Sequence, residues 1–180
     1  MGMIGTQHAI TAKQERQLMG WYQEDDQDSI FDLVDEIDNR WYDADIKLKM
    51  AERLDFTKMP LSSSVDKAWY EIDLCFSEEP TRLRAELEPL ANCIFGGVRI
   101  AEDGESMVNL LDKSVVLNVA KAFQKLEDSD IEELFYKITD TYICEKNKEG
   151  LEYVRANIER LKYFYDEAAK RQVAIISAIL

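Results

Sequence analysis

The last eight residues constrain the fold more than any other segment. Val173 to Leu180 is a run of β-branched and small apolar residues in which Ser177 alone is polar. Such a run fits a strand buried on both faces, so other strands must flank it and further elements must cover it. The remaining strand candidates are scattered along the chain. Met3 to Ile10 is short, apolar-rich and carries Gly5; Met107 to Leu111 is a further candidate, and Tyr142-Ile143-Cys144 another. Helical segments separate them, so the strands require crossovers rather than tight hairpins. The expectation is an α/β (α+β) fold: a mixed β-sheet of about four or more strands packed with helices. A chain of 180 residues, 46% of them apolar, suffices for one domain spanning 1–180 with its own core.

Helical periodicity fills the intervals. Thr11-Ala12-Lys13-Gln14 is a capping box, opening a helix to about Met19 that stops near Gly20. Ile30, Leu33, Val34, Ile37 and Trp41 share one face, with Asp32, Asp35, Glu36 and Asp38 turned outward. Residues 42 to 60 fit strand or helix, the helix being preferred. Pro60 to Ser64 reads as a loop. Val65, Ala68, Trp69, Ile72, Cys75 and Phe76 make the apolar stripe of a helix beginning at Val65. Pro80 suits a helix start, Pro89 ends or restarts that helix, and Gly96-Gly97 is a stop with a positive φ. Val98 to Gly104 is taken as a connection. Asp112 caps the helix of Val115 to Leu126, and Ser129-Asp130-Ile131-Glu132 is another capping box. The longest helix follows Asn147 and ends in Lys170-Arg171, where positive charge suits the helix dipole.

Charge bounds the partners. With 36 acidic residues against 22 Lys plus Arg, the net charge is −14. That excess repels phosphate backbones and anionic lipid, so neither nucleic acid nor a membrane surface is expected as a partner. No stretch approaches the ~20 apolar residues of a spanning helix, and no basic region followed by an apolar run marks a secretory signal. Met1-Gly2-Met3-Ile4-Gly5-Thr6 fits the myristoylation pattern, but a first strand explains it equally. The expected location is the cytoplasm. Cys75, Cys93 and Cys144 are widely spaced, without a zinc or redox pattern.

Little chemistry is written in motifs. His8 is the single histidine, so a Ser-His-Asp or Cys-His arrangement has to be built on it; the other reading is a satisfied core or surface residue. No phosphate-cradling glycine loop and no calcium-loop pattern occurs, so neither a cofactor nor a metal is expected. The helix read from Val65 places Asp66, Tyr70 and Asp73 on one face, beside Lys67 and the apolar Trp69. Two carboxylates there fit acid and base roles if a pocket separates their pKa values. The competing reading has Asp66 supporting the helix start and Lys67 pairing locally.

Three segments carry a resemblance. Met1-Gly2-Met3-Ile4-Gly5, then Val65-Asp66-Lys67-Ala68-Trp69-Tyr70-Glu71-Ile72, then Pro89-Leu90-Ala91-Asn92-Cys93-Ile94-Phe95-Gly96-Gly97 resemble the YfbM-like proteins, a bacterial family of unknown function. The segment with Trp69 is similar to that family's D-K-x-W helix, and the one ending in Gly97 to its P-L-x-x-A-[VI]-[LF]-G-G turn. Phe164-Tyr165 with Ala168-Ala169 before the last apolar run fits as well. Relatives usually carry Leu-His where this chain has Ile72-Asp73, and the stretch from Trp41 to Thr57 is longer here. The resemblance implies a compact α/β domain on a mixed sheet and carries no established activity.

Two functions are therefore expected to compete. One is a non-catalytic acidic binding module that engages a basic protein partner through Asp32, Asp35, Glu36 and Asp38, in an immunity- or antitoxin-like role. The other is an enzyme acting on a small molecule in a cleft near Asp66, Lys67, Trp69, Asp73 and His8. The oligomeric state is not written in the sequence.

Overall fold

The computed structural model describes residues 3–50, 61–77, 84–139 and 141–180, with side chains described outside 40–50. The start of the helix expected from Pro80 and the segment 51–60 lie outside the described residues, as does the side chain of Trp41; from residue 84 on, that expected helix is instead turn and a short 3₁₀ segment. Among the described residues twelve elements follow in order. Strand β1 (Gly5–Ile10) leads to helices α1 (Ala12–Glu24) and α2 (Gln27–Met50). Strand β2 (Ser62–Asp66) leads to α3 (Trp69–Ser77) and a 3₁₀ segment (Glu88–Asn92). Strands β3 (Val98–Asp103) and β4 (Ser106–Leu111) precede helices α4 (Lys113–Phe123), α5 (Asp128–Lys137) and α6 (Lys148–Arg171), and β5 (Ala174–Ile179) closes the chain.

The sheet has five strands in the order β2-β1-β5-β4-β3. Strand β5 sits at its centre and all six of its residues are buried, as its composition requires. Every neighbouring pair is antiparallel, so the expected α+β class holds while the sheet is not mixed. The need for crossovers does not set strand direction, because a long connection delivers the next strand in either sense. Nor does every connection cross over. Strands β3 and β4 form a tight hairpin across Gly104-Glu105, with Asp103 paired to Ser106 and Gly104 at φ 60°. The stretch read as a connection is thus a strand.

Helices cover both faces. Ile10, Val108, Leu110, Ala174, Ile176 and Ala178 project toward Leu18, Ile30, Val34 and Ile37 of α1 and α2. On the opposite face Val65, Leu111, Ile175 and Ile179 join the larger core of α3 to α6, with Phe76, Phe123, Phe135 and Tyr165 among its fully buried rings. The result is three layers around two cores.

Local signals hold where they are strongest. Thr11 and Gln14 form the capping box, Asp112 accepts from the backbone N–H groups of Ser114 and Val115, and Asn147 accepts from that of Gly150. Four boundaries differ from the sequence reading. Helix α1 passes through Gly20 and ends at Asp25, which adopts the left-handed conformation at φ 57°. Helix α5 starts earlier than expected: Glu127 is its cap, and its N–H donates to Asp130. Tyr142-Ile143-Cys144 is an irregular loop, because the N–H groups of Tyr142 and Ile143 bond to a side chain rather than to a strand. Ser62 to Asp66 is strand rather than loop and helix, because it finds pairing partners along β1.

Candidate functional site

The Asp66-Lys67-Ala68-Trp69 segment is the corner at which β2 turns into α3. Asp66 takes φ 49°, an uncommon conformation for a residue with a side chain, and its N–H donates to Ser64 Oγ at 3.1 Å. Gly5 on the neighbouring strand lets the corner close: a Cβ there would lie 2.8 Å from Trp69 Cβ and 2.9 Å from Val65 Cγ2. Trp69 is buried, donates from Nε1 to the Met3 carbonyl at 3.3 Å and meets Tyr70 and Phe95 edge-on. Its indole is thus a structural wedge. Exposed Asp66 accepts from Tyr153 Oη at 3.2 Å. Burial first, then the Asp66 charge, pushes the Tyr153 phenol up to about 12. Lys67 is half-buried.

Asp66 and Asp73 therefore do not share a helix face, because Asp66 ends a strand. Asp73 lies on α3, where burial raises its carboxyl to about 6 against the hydrogen bond from Ser77 Oγ at 2.9 Å. Its surroundings include Cys93, and burial, reinforced by the Asp73 charge, holds that thiol well above its usual value. That is the opposite of an activated nucleophile. Two positions before Asp73, fully buried Glu71 accepts the N–H groups of Tyr142 and Ile143, each at 2.7 Å, and so pins the loop ahead of α6.

His8 points to the other face of the sheet. The imidazole is fully buried, with Nδ1 2.8 Å from Ser62 Oγ and Nε2 2.7 Å from Asp38 Oδ1. The approach to Asp38 is close but falls outside hydrogen-bond geometry. Ser62, His8 and Asp38 thus link β2, β1 and α2 in a row that resembles a hydrolytic triad in residue type. The small-molecule cleft expected around His8, Asp66 and Asp73 requires the three to converge. They do not: His8 and Asp73 stand on opposite sides of the sheet.

The acidic set on α2 divides. Asp32, Asp35 and Glu36 are exposed, whereas Asp38 is half-buried against His8. Position 38 follows Val34 and Ile37 around the helix toward the sheet. Asp32 and Glu36 line a groove of about 450 Å³ between α1 and α2, together with Trp21, Leu33 and Ile37 below and Lys13 and Gln17 on the α1 side. This groove is a feature that sequence spacing alone does not disclose. Among the described residues no group of three His, Cys, Asp or Glu side chains is placed to hold a metal ion. Among them, too, no helix is long and apolar enough to cross a membrane.

Comparison with known proteins decides the family. A family model described as a domain of unknown function, DUF1877, matches residues 1–178. The chain belongs to the DUF1877 family. No curated protein matches it. The crystal structure of YfbM from Escherichia coli, a protein of unknown function, is similar with a TM-score of 0.63 and 14% identity, covering 99% of this chain and 100% of that one. At that identity the likeness concerns the fold, and it agrees with the YfbM-like resemblance of the opening, corner and turn segments.

Proposed function

We propose that this DUF1877 domain is a non-catalytic interaction module whose α1–α2 face receives a basic segment of a partner protein. The supporting observation is the groove itself. Its apolar floor of Trp21, Leu33 and Ile37 lies beside the carboxylates of Asp32 and Glu36. A lysine or arginine side chain has matching parts: an aliphatic stem for the floor, and a cationic head for the carboxylates and the indole face. Asp28, Asp32 and Asp35 make no ion pair with any described residue, so their field is directed to solvent. The net charge of −14 steers a basic partner toward the same surface. An immunity- or antitoxin-like role is one form of this reading, since small acidic domains suit the neutralisation of basic proteins.

The test is a heteronuclear NMR titration with an arginine-rich peptide. Shifts centred on the Trp21 indole N–H and the backbone of Asp32 to Glu36 support the groove. Asp32→Lys combined with Asp35→Lys is expected to abolish them. Equal binding by that variant contradicts the proposal.

A further inference from the structure

Strand β2 ends the sheet, and one of its edges has no described strand beside it. The hydrogen-bond pattern fixes which residues face that edge. Ile4 exchanges both backbone bonds with Leu180 on the β5 side, and the Ala9 N–H donates to the Leu61 carbonyl at 2.8 Å on the β2 side. Backbone groups alternate along an antiparallel ladder, so the odd-numbered residues of β1 bond to β2, and Leu61 and Ser63 bond back. The N–H and C=O groups of Ser62 and Ser64 therefore point away from β1. Native sheets blunt such edges with charge or proline, and Ser62, Ser63 and Ser64 supply neither.

That edge opens into a cleft of about 660 Å³ between β2 and α6. Ser62, Ser63 and Ser64 all line it, as consecutive residues with side chains on alternate faces do along an edge. The other wall is one face of α6, with Ala156, Glu159, Arg160 and Tyr163 at helical spacing. Ser63 is only 8% exposed, yet its hydroxyl bonds to no described residue. Arg160 donates to Asn157 Oδ1 at 3.0 Å but pairs with no described carboxylate, whereas Glu159 is paired with Lys162. Tyr163 is 67% exposed, unusual for a large aromatic side chain. We infer that this cleft receives an extended peptide segment that adds to the edge of β2 as a further strand and turns an acidic side chain to Arg160. A peptide is the occupant because a second backbone presents N–H and C=O groups at the strand repeat that Ser62 and Ser64 require. The acidic side chain follows from Arg160, a cation without a counter-charge on a chain of net charge −14. From Ala156 to Tyr163 the helix wall runs about 10 Å, the length of about three extended residues. The central one of these meets Arg160, and its alternate neighbours pack against Ala156 and the Tyr163 ring. The cleft takes the opposite charge from the α1–α2 groove, and neither reading depends on the other.

The test is a ¹⁵N-resolved NMR titration of the intact chain with the pentapeptide Val-Thr-Glu-Thr-Val, acetylated and amidated so that the glutamate is its single charge. The backbone N–H signals of Ser62 and Ser64 are expected to move and their hydrogen exchange to slow, with less change at Ser63. Replacing the peptide's glutamate by glutamine is expected to weaken binding at least about tenfold. Arg160→Gln is expected to bind both peptides as weakly as the parent binds the glutamine form, which couples the two charges. N-methylation of alternate peptide amides, which leaves the protein untouched if Arg160→Gln fails to fold, should abolish binding for one set and spare it for the other. Unmoved Ser62 and Ser64 amides overturn the proposal, as does equal binding of the two peptides. So does a response confined to Arg160 and Tyr163, which is a carboxylate held without strand addition. Slow exchange of both amides in the free chain, together with a dimer's mass, gives the edge to a second copy and overturns it too.

Discussion

Asp38 Oδ1 stands 2.7 Å from Nε2 of the fully buried His8, so one carboxylate of the acidic helix α2 serves the sheet rather than the solvent. Neighbours on the same helix have different duties. Asp32 and Asp35 face outward, while Asp38 packs against an imidazole that also contacts Ser62. Asp38→Ala is expected to lower stability by about 1 kcal/mol or more, because it removes a carboxylate packed 2.7 Å from a buried ring nitrogen. Asp32→Ala is expected to change it by no more than about 0.5 kcal/mol. Urea denaturation of the two variants checks the contrast. Equal stabilities would place Asp38 on the free face after all.

The raised carboxyl of Asp73 gives stability a dependence on pH. Its folded value of about 6 lies above the ordinary 3.8. Between these values the unfolded carboxyl is ionised and the folded one protonated, so unfolding releases a proton and stability falls as pH rises. The full loss is about 3 kcal/mol, at about 1.36 kcal/mol per pKa unit, and is complete above about pH 6. Asp73→Asn keeps a partner for Ser77 without the buried charge. The variant is expected to be more stable than the parent at neutral pH and to lose that advantage at about pH 4, near the ordinary carboxylate value. A gain independent of pH would assign the effect to packing.

Glu71 is expected to control the loop before α6. Glu71→Ala removes the acceptor of the Tyr142 and Ile143 N–H groups. Hydrogen bonds to a charged group contribute about 1.5–3 kcal/mol, so a loss of that order is expected. Hydrogen exchange locates it: the two amides should lose protection selectively. Unchanged exchange at Tyr142 and Ile143 would show that other contacts hold the loop.

Two glycines with positive φ separate crowding from backbone strain. A Cβ on Gly97, at φ 80°, would lie 2.1 Å from the Leu110 carbonyl oxygen, whereas one on Gly104, at φ 60°, meets nothing within 4 Å. Gly104→Ala should therefore cost about 1 kcal/mol from conformation alone, and Gly97→Ala considerably more. Thermal melts of the pair decide it, and similar losses would mean that β4 yields to the intruding methyl.

Legibility in the sequence followed the range of the interaction. The central strand β5, the caps at Thr11, Asp112 and Asn147, and the apolar stripe of α6 announce themselves because each depends on residues within a few positions. Strand β2 was hidden, since three consecutive serines resemble turn chemistry and become a strand through pairing with β1. That error moved Asp66 onto a helix it does not belong to. The β3–β4 hairpin had a usable signal in Gly104-Glu105, a glycine in the first position of a two-residue turn. The contact of His8 with Asp38 had none. It exists through register and layer packing, which no local spacing encodes. Family membership was legible, because the opening, the corner and the Gly96-Gly97 turn each keep a recognisable local pattern.

The outward carboxylates of α2 are proposed to hold a basic protein. Immobilised wild-type domain and an Asp32→Lys/Asp35→Lys variant, exposed to lysate of the native host at low and high salt, test it most directly. The wild type should retain a defined basic protein at low salt and release it at high salt, the variant should retain none, and the two should melt alike. Capture of the same protein by both, or capture indifferent to salt, would contradict the claim.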